Sequence, residues 1–154
     1  MQLIIAAVGK AKKKAEAELV AHYLKQTRWN ITIREIGDAP GNLSAEARCE
    51  REATAIEALL GPGSRLIAMD STGKQLTSTQ FAGVIQDAQQ HAVKQLIFAI
   101  GGQDGLAPAL LAKAHLKIAF GAATWPHQLL RAMLTEQLYR AYTITIGHPY
   151  HTGH

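Results

Sequence analysis

Apolar residues in this chain fall into short runs and helical spacings that alternate from one end to the other. Residues 2–8 (QLIIAAV) form an unbroken apolar run of strand length, the pattern of a strand covered on both faces. Residues 15–27 place Leu19, Tyr23 and Gln26 at helical spacing. Residues 30–36 (NITIREI) alternate, with Ile31, Ile33 and Glu35 on one side and Thr32, Arg34 and Ile36 on the other, which predicts a second strand. An Ala- and Glu-rich stretch over 43–61 predicts a helix closing on Gly61. A third strand over 64–70 is expected to run into a polar turn, STGK. Thr77 and Gln80 have capping-box spacing, and Phe81, Val84, Ile85 and Ala88 follow as one apolar helical face. Beyond them come a fourth strand over 94–100, a short helix over 108–115 with Pro108 in its first turn, and a fifth strand over 116–121. The last helix, 126–142, carries Leu130, Met133, Leu134, Leu138 and Ala141 on one face.

Strands that alternate with helices predict an α/β fold, a mainly parallel sheet with helices on both faces. With 154 residues and no linker, repeat or low-complexity stretch, the chain is expected to be a single domain, 1–154. No apolar run approaches the ~20 residues of a membrane span, so no membrane partner is expected. The N-terminal apolar run precedes its lysines, the reverse of a secretory leader. Cys49 is the single cysteine, which excludes an internal disulfide and reads as an inert structural thiol. These features point to a cytoplasmic protein. A formal charge of +4 is a mild bias towards polyanions. The run Lys12, Lys13 and Lys14 suits either a solvated helix start or an RNA contact.

In such folds ligands bind beyond the carboxyl ends of the strands. That rule selects Met69–Asp70, Gly101–Gly105 and Gly121–Pro126. Three glycines within Gly101–Gly105 answer either a turn that requires positive φ or a close approach to the backbone, so the stretch reads as a tight turn between strand and helix or as a ligand loop. Neither a dinucleotide fingerprint nor a Walker loop is present: VGKAKKK has a single glycine, and STGKQL lacks the upstream one. The glycine loop holds Asp104 and no Lys or Arg, which disfavours phosphate and suits an adenosine or an uncharged polar group. Trp125 reads on its own as a core aromatic.

The segments IGGQDGL, TWPHQLLRAMLTEQLYRAYTITIGHPYH and AVGK together resemble the ribosomal large subunit methyltransferase H family, small SPOUT-class enzymes, along the whole chain. The resemblance implies a SPOUT fold with a C-terminal trefoil knot, a homodimer with a shared active site, and S-adenosyl-L-methionine as methyl donor. It implies methylation of N3 of a pseudouridine in 23S rRNA, in the large subunit or the whole ribosome. Carried over by position, the donor site comprises Met69, Gly102, Gly121, Ala122, Ala123, Thr124, Trp125 and Pro126, and the catalytic group Arg140, Tyr150 and His151. Family members usually carry Leu where Met69 stands, a swap that keeps volume and apolarity.

Displacement at a sulfonium expels a neutral thioether, so alignment matters more than acid catalysis. N3 of pseudouridine must lose a proton, which calls for a base or a cation beside the developing anion. Arg140 fits the second role, although Glu136 four residues earlier also makes it a candidate for a helical ion pair. In the tail GHPYHTGH, His148, His151 and His154 recur every third residue. Pro149, Gly153 and the lack of nearby Cys or acidic ligands argue against a metal there, so none is expected. The tail is either a frayed terminus or a flap that closes over the target base, in the partner's site. His127 is expected to play a structural part at the helix start. Two other readings share these residues: a catalytically silent ribosome-binding factor, and a SPOUT enzyme acting on tRNA.

Overall fold

The computed structural model describes residues 1–12 and 14–153, so Lys13 and His154, named above, lie outside the described residues. The elements are β1 (Gln2–Val8), α1 (Lys14–Gln26), β2 (Ile31–Ile36), α2 (Ala45–Glu57), β3 (Ser64–Gln75), α3 (Ser78–Gln90), β4 (Gln95–Ile100), α4 (Pro108–Lys113), β5 (Leu116–Ala119) and α5 (His127–Thr145). The five strands form one sheet in the order β2-β1-β4-β3-β5, and each neighbouring pair runs parallel.

Alternation along the strands builds two cores, one per face. Leu3, Ile5, Ala7, Ile67, Phe98 and Ile100 meet Phe81 and Ile85 of α3 and Leu134, Leu138 and Ala141 of α5. Ile4, Ala6, Val8, Leu66, Ile97 and Ala99 meet Cys49, Ala53 and Ile56 of α2 and Leu110 of α4. Both strand faces are therefore apolar, and each fully buried Ile, Leu or Phe contributes roughly 1.5–3 kcal/mol. Trp29 packs edge-on against Tyr142 of α5 at 5.6 Å between ring centres, and Tyr23 of α1 lies 5.9 Å from Tyr139 of α5, seating α1 against that helix.

Several boundaries differ from expectation, each for a physical reason. The STGK segment is strand, not turn: β3 runs through it to Gln75, and after a register shift Lys74 and Gln75 pair with Ile118 and Ala119. Gly73 permits this, because a Cβ there would lie 2.6 Å from the backbone nitrogen of Ile118. Helix α2 ends at Glu57 with Ala58 as its cap, short of Gly61, because Pro62 and the turn into β3 follow. Strand β5 stops at Ala119, freeing Phe120 and Gly121 for the following loop. Helix α5 continues to Thr145, three residues beyond the expected 142, because Tyr142, Thr143 and Ile144 still pack inward.

The expected capping box is present: Thr77 Oγ1 accepts from the Gln80 amide at 3.1 Å, and Gln80 Oε1 accepts from the Thr77 amide at 2.9 Å. Thr77→Ala is expected to lower unfolding free energy by about 1 kcal/mol. It should appear as an earlier urea midpoint with an unchanged slope.

Candidate functional site

The three loops selected by the strand-end rule converge. Met69 and Asp70 after β3, every residue of Gly101–Gly105 after β4 except Asp104, and every residue of Gly121–Pro126 after β5 except Ala122 border one cavity of about 520 Å³, a volume in the range of small-molecule sites. Of the expected donor residues, Met69, Gly102, Gly121, Ala123, Thr124, Trp125 and Pro126 line it; Ala122 is exposed and does not. Ile100, Leu106, Ile118, Phe120, His127 and Leu130 complete the wall. These were invisible as site residues in the sequence, since each reads as an ordinary core or helix-start position. No Lys or Arg lines the cavity among the described residues.

Trp125 is not a core aromatic. It is 40% exposed, and its indole N–H donates to the Phe120 carbonyl at 2.8 Å, which folds the ring over the loop at the cavity edge. Gly121 adopts φ +95°, a conformation glycine takes without strain.

The glycine loop uses both devices that its composition left open. Gly105 has φ +76°, and its amide donates to the Gly102 carbonyl at 3.1 Å. Gly101 has no room for a side chain: a Cβ would lie 2.5 Å from the Gly105 carbonyl carbon. At Gly102 a Cβ would lie 3.0 Å from Val8 Cγ1. The close approach at Gly101 is thus made by the loop's own backbone.

Asp104 does not act as a lone carboxylate facing the ligand. It is absent from the cavity lining and pairs with Arg48 of α2, whose Nε and Nη2 donate to its two oxygens at 2.7 and 3.1 Å. The Arg48 hydrogen bond holds the Asp104 carboxyl below the usual range. The cation sits 56 positions away in sequence, so the loop's own composition could not show it.

Beside Arg48, the Cys49 thiol donates to the Asp104 carbonyl at 3.4 Å, and burial pushes its pKa up, consistent with an inert thiol. Glu52, 7% exposed, accepts from the Ala39 amide at 3.3 Å, while its Oε2 is buried without a partner behind Gly102. Burial first, then Asp38 and Asp104, raise the Glu52 pKa against the Ala39 hydrogen bond. Between the ordinary value of 4.5 and that raised value, the folded state holds a proton the unfolded chain has lost, so stability falls as pH rises through this window. Glu52→Gln is therefore expected to raise the melting temperature at pH 7, with the gain shrinking below the ordinary glutamate range. A melting series across pH checks it.

Arg140, Tyr150 and His151 lie elsewhere. The cavity borders the first turn of α5, and Arg140 follows Leu130, the last α5 residue of its wall, by ten positions, roughly 15 Å at 1.5 Å per residue. The expected helical pair forms: Arg140 Nε and Nη2 donate to Glu136 Oε1 at 3.0 and 2.7 Å. Tyr150 donates to the same oxygen at 3.0 Å, its ring lies 4.8 Å from the Arg140 guanidinium, and it packs on Tyr139 at 4.7 Å. Burial and the Glu136 hydrogen bond push the Tyr150 hydroxyl up, which keeps its proton on. The described tail is not frayed. The His148 amide donates to the Thr143 carbonyl at 2.9 Å, and the Tyr150 amide to His148 Nδ1 at 3.2 Å. His151 Nδ1 is buried without a partner.

Sequence reasoning missed Arg131. It is 3% exposed, donates through Nη2 to the Gly9 carbonyl at 2.9 Å, and pairs with Glu35 at 3.3 Å. Gln128 donates to the Lys10 carbonyl at 2.8 Å, so α5 pins the loop after β1. His127 borders the cavity, a wall position beyond the structural part expected of it.

The strand-end loops of the parallel sheet enclose one cavity, and comparison with known families gives the class. The chain belongs to the SPOUT methyltransferase family, whose model, described as "Predicted SPOUT methyltransferase", matches residues 1–151. It is 43% identical over 162 residues to a protein of Nitrobacter hamburgensis named ribosomal RNA large subunit methyltransferase H, covering 99% of this chain and 100% of that one. A Xanthobacter autotrophicus protein of the same name is 43% identical over 160 residues, covering 98% of this chain and 99% of the relative. Among solved structures, the SpoU methyltransferase AviRb from Streptomyces viridochromogenes, in complex with AdoMet, aligns at TM-score 0.47 and 12% identity. That alignment covers 96% of this chain and 61% of the other.

Proposed function

We propose that this protein transfers a methyl group from S-adenosyl-L-methionine to N3 of a pseudouridine in 23S rRNA, acting as a cytoplasmic homodimer on the large subunit or the assembled ribosome. The observation that carries the reading is the cavity where the loops after β3, β4 and β5 meet, with largely apolar walls, bare glycine backbone and, among the described residues, no lysine or arginine. A donor with an adenosine and no phosphate suits those walls. The relatives' name supplies the substrate class, ribosomal RNA of the large subunit. In this reading the C-terminal segment threads as a trefoil knot and brings the loop after β5 beside the glycine loop.

The distance between the cavity and Arg140 supports a site completed by a second copy. A donor at the start of α5 lies too far from the same chain's Arg140 to share one base with it. In the dimer, Arg140 and Tyr150 of one protomer face the donor held by its partner. The Arg140 Nη1 makes no hydrogen bond among the described residues and is free for a uracil carbonyl or a phosphate. Tyr150, its hydroxyl proton held by Glu136, stacks or accepts a hydrogen bond. His151 takes the N3 proton on Nε2, since its Nδ1 is buried. The N3 lone pair then attacks the methyl carbon, the carbon–sulfur bond breaks, and a neutral thioether leaves.

Incubation with labelled donor and large subunits lacking the modification tests the function. Label on a pseudouridine, located by nuclease digestion and mass spectrometry, is the expected result. Donor binding without transfer to ribosomes, subunits or free rRNA would favour the silent ribosome-binding factor; transfer to tRNA alone would favour the tRNA enzyme.

A further inference from the structure

Behind the cavity, one face of α2 grips the glycine loop at consecutive points. Arg48 holds the Asp104 carboxylate with two hydrogen bonds, and its Nη1 donates to the Leu43 carbonyl at 2.6 Å, so the guanidinium is itself fixed. Cys49 reaches the Asp104 and Gly105 carbonyls at 3.4 and 3.7 Å. Both partners of the ion pair are about four-fifths covered, with 16% and 20% of their side chains exposed. Paired guanidinium and carboxylate forks of this kind fix orientation as well as distance. The loop they hold is the one whose Gly101, Gly102, Gln103 and Gly105 border the cavity, whereas neither Arg48 nor Asp104 borders it.

We infer that Arg48 and Asp104 are positioning residues that set donor affinity, by holding the glycine loop in the shape that presents bare backbone to the ligand. Glycine-rich segments have more backbone freedom to lose than others, so a loop with three glycines in five positions gains most from an external anchor. Gly105, at φ +76°, directly follows the anchored residue, so slack at Asp104 passes into the turn that Gly105 closes on Gly102. A fixed loop meets the donor already shaped; an unanchored one must be ordered at each binding event, and the ordering entropy weakens the complex. The Arg48 hydrogen bond holds the Asp104 carboxyl below its ordinary range, which favours the charged form that the anchor uses. This inference rests on reading the cavity as the donor site.

The test compares the parent with Asp104→Asn, Arg48→Gln and the exchanged pair Arg48→Asp with Asp104→Arg. S-adenosylmethionine is titrated by calorimetry, and methyl transfer to large subunits is followed at varied donor. Each single variant is expected to raise the donor Kd and KM by about tenfold, the change that a loss of ~1.4 kcal/mol of binding makes, with kcat at saturating donor within about twofold of the parent. The exchanged pair should recover part of the affinity. Melting temperatures measured without donor separate the roles. Lower melting with unchanged donor Kd overturns the inference and leaves the pair a purely structural clasp. A parent that binds no donor overturns the donor reading and this inference with it, whereas donor binding retained by both single variants overturns the inference alone.

Discussion

Gly101→Ala is expected to destabilise the fold by about 3 kcal/mol, at the upper end for overpacking a closed site. The added carbon would stand 2.5 Å from the Gly105 carbonyl carbon and 2.6 Å from its oxygen, both backbone atoms of the same loop. A side-chain neighbour could rotate away, but this backbone is held by the Gly105–Gly102 hydrogen bond and by the Arg48 anchor on Asp104. Relief therefore requires the loop to open, which also dismantles the cavity border. In a chain of this size the melting temperature should drop by roughly 6–12 °C. Gly41→Ala is the control, because nothing lies within 4 Å of its added carbon, and it should melt with the parent. Urea midpoints that coincide for Gly101→Ala and the parent would show that the loop repacks freely and would undercut the account of why its glycines are there.

Arg140→Ala is expected to reduce methyl transfer by roughly 10²–10³-fold, the range for removing one group that stabilises developing charge. Donor affinity should stay unchanged, because the residue stands roughly 15 Å along α5 from the cavity of its own chain. The variant also strips Glu136 Oε1 of two of its three donors and leaves Tyr150 as the third. Some loss of stability is therefore expected, and folding is checked by circular dichroism before turnover is compared. Arg140→Lys should recover little, since an ammonium cannot bond Glu136 through two nitrogens while keeping a third donor free. Turnover at the parent rate in a folded Arg140→Ala variant would remove Arg140 from the mechanism and leave it, in the parent, the partner of Glu136 in the helical ion pair its spacing first indicated.

Much of the architecture was legible because local pattern and tertiary role coincide. The apolar runs at 2–8 and 94–100 are central strands covered on both faces, and the Thr77–Gln80 spacing is a working cap. The strand-end rule found three loops that do meet, since a parallel sheet places all its carboxyl ends on one edge. What failed to show depends on distant partners. STGK has turn composition, yet it runs as strand because β5 pairs beside it. Asp104 looked like a bare carboxylate because its cation comes from α2. Arg131 drew no reading from the pattern, yet it is buried against the loop after β1, a partner 122 positions away. Arg140, Tyr150 and His151 sit together at the end of α5, a grouping that spacing hinted at through Glu136 and the tail but whose distance from the cavity no sequence pattern reveals.

The central claim is that the cavity beyond β3, β4 and β5 holds the methyl donor against the glycine loop. Calorimetric titration of the purified protein with S-adenosylmethionine, beside a Gly102→Val variant, tests it most directly. The variant adds a branched side chain where even a Cβ would press on Val8 at 3.0 Å. The account predicts saturable binding by the parent and its loss in a variant that still folds. Equal binding by both would place the donor elsewhere and contradict the claim.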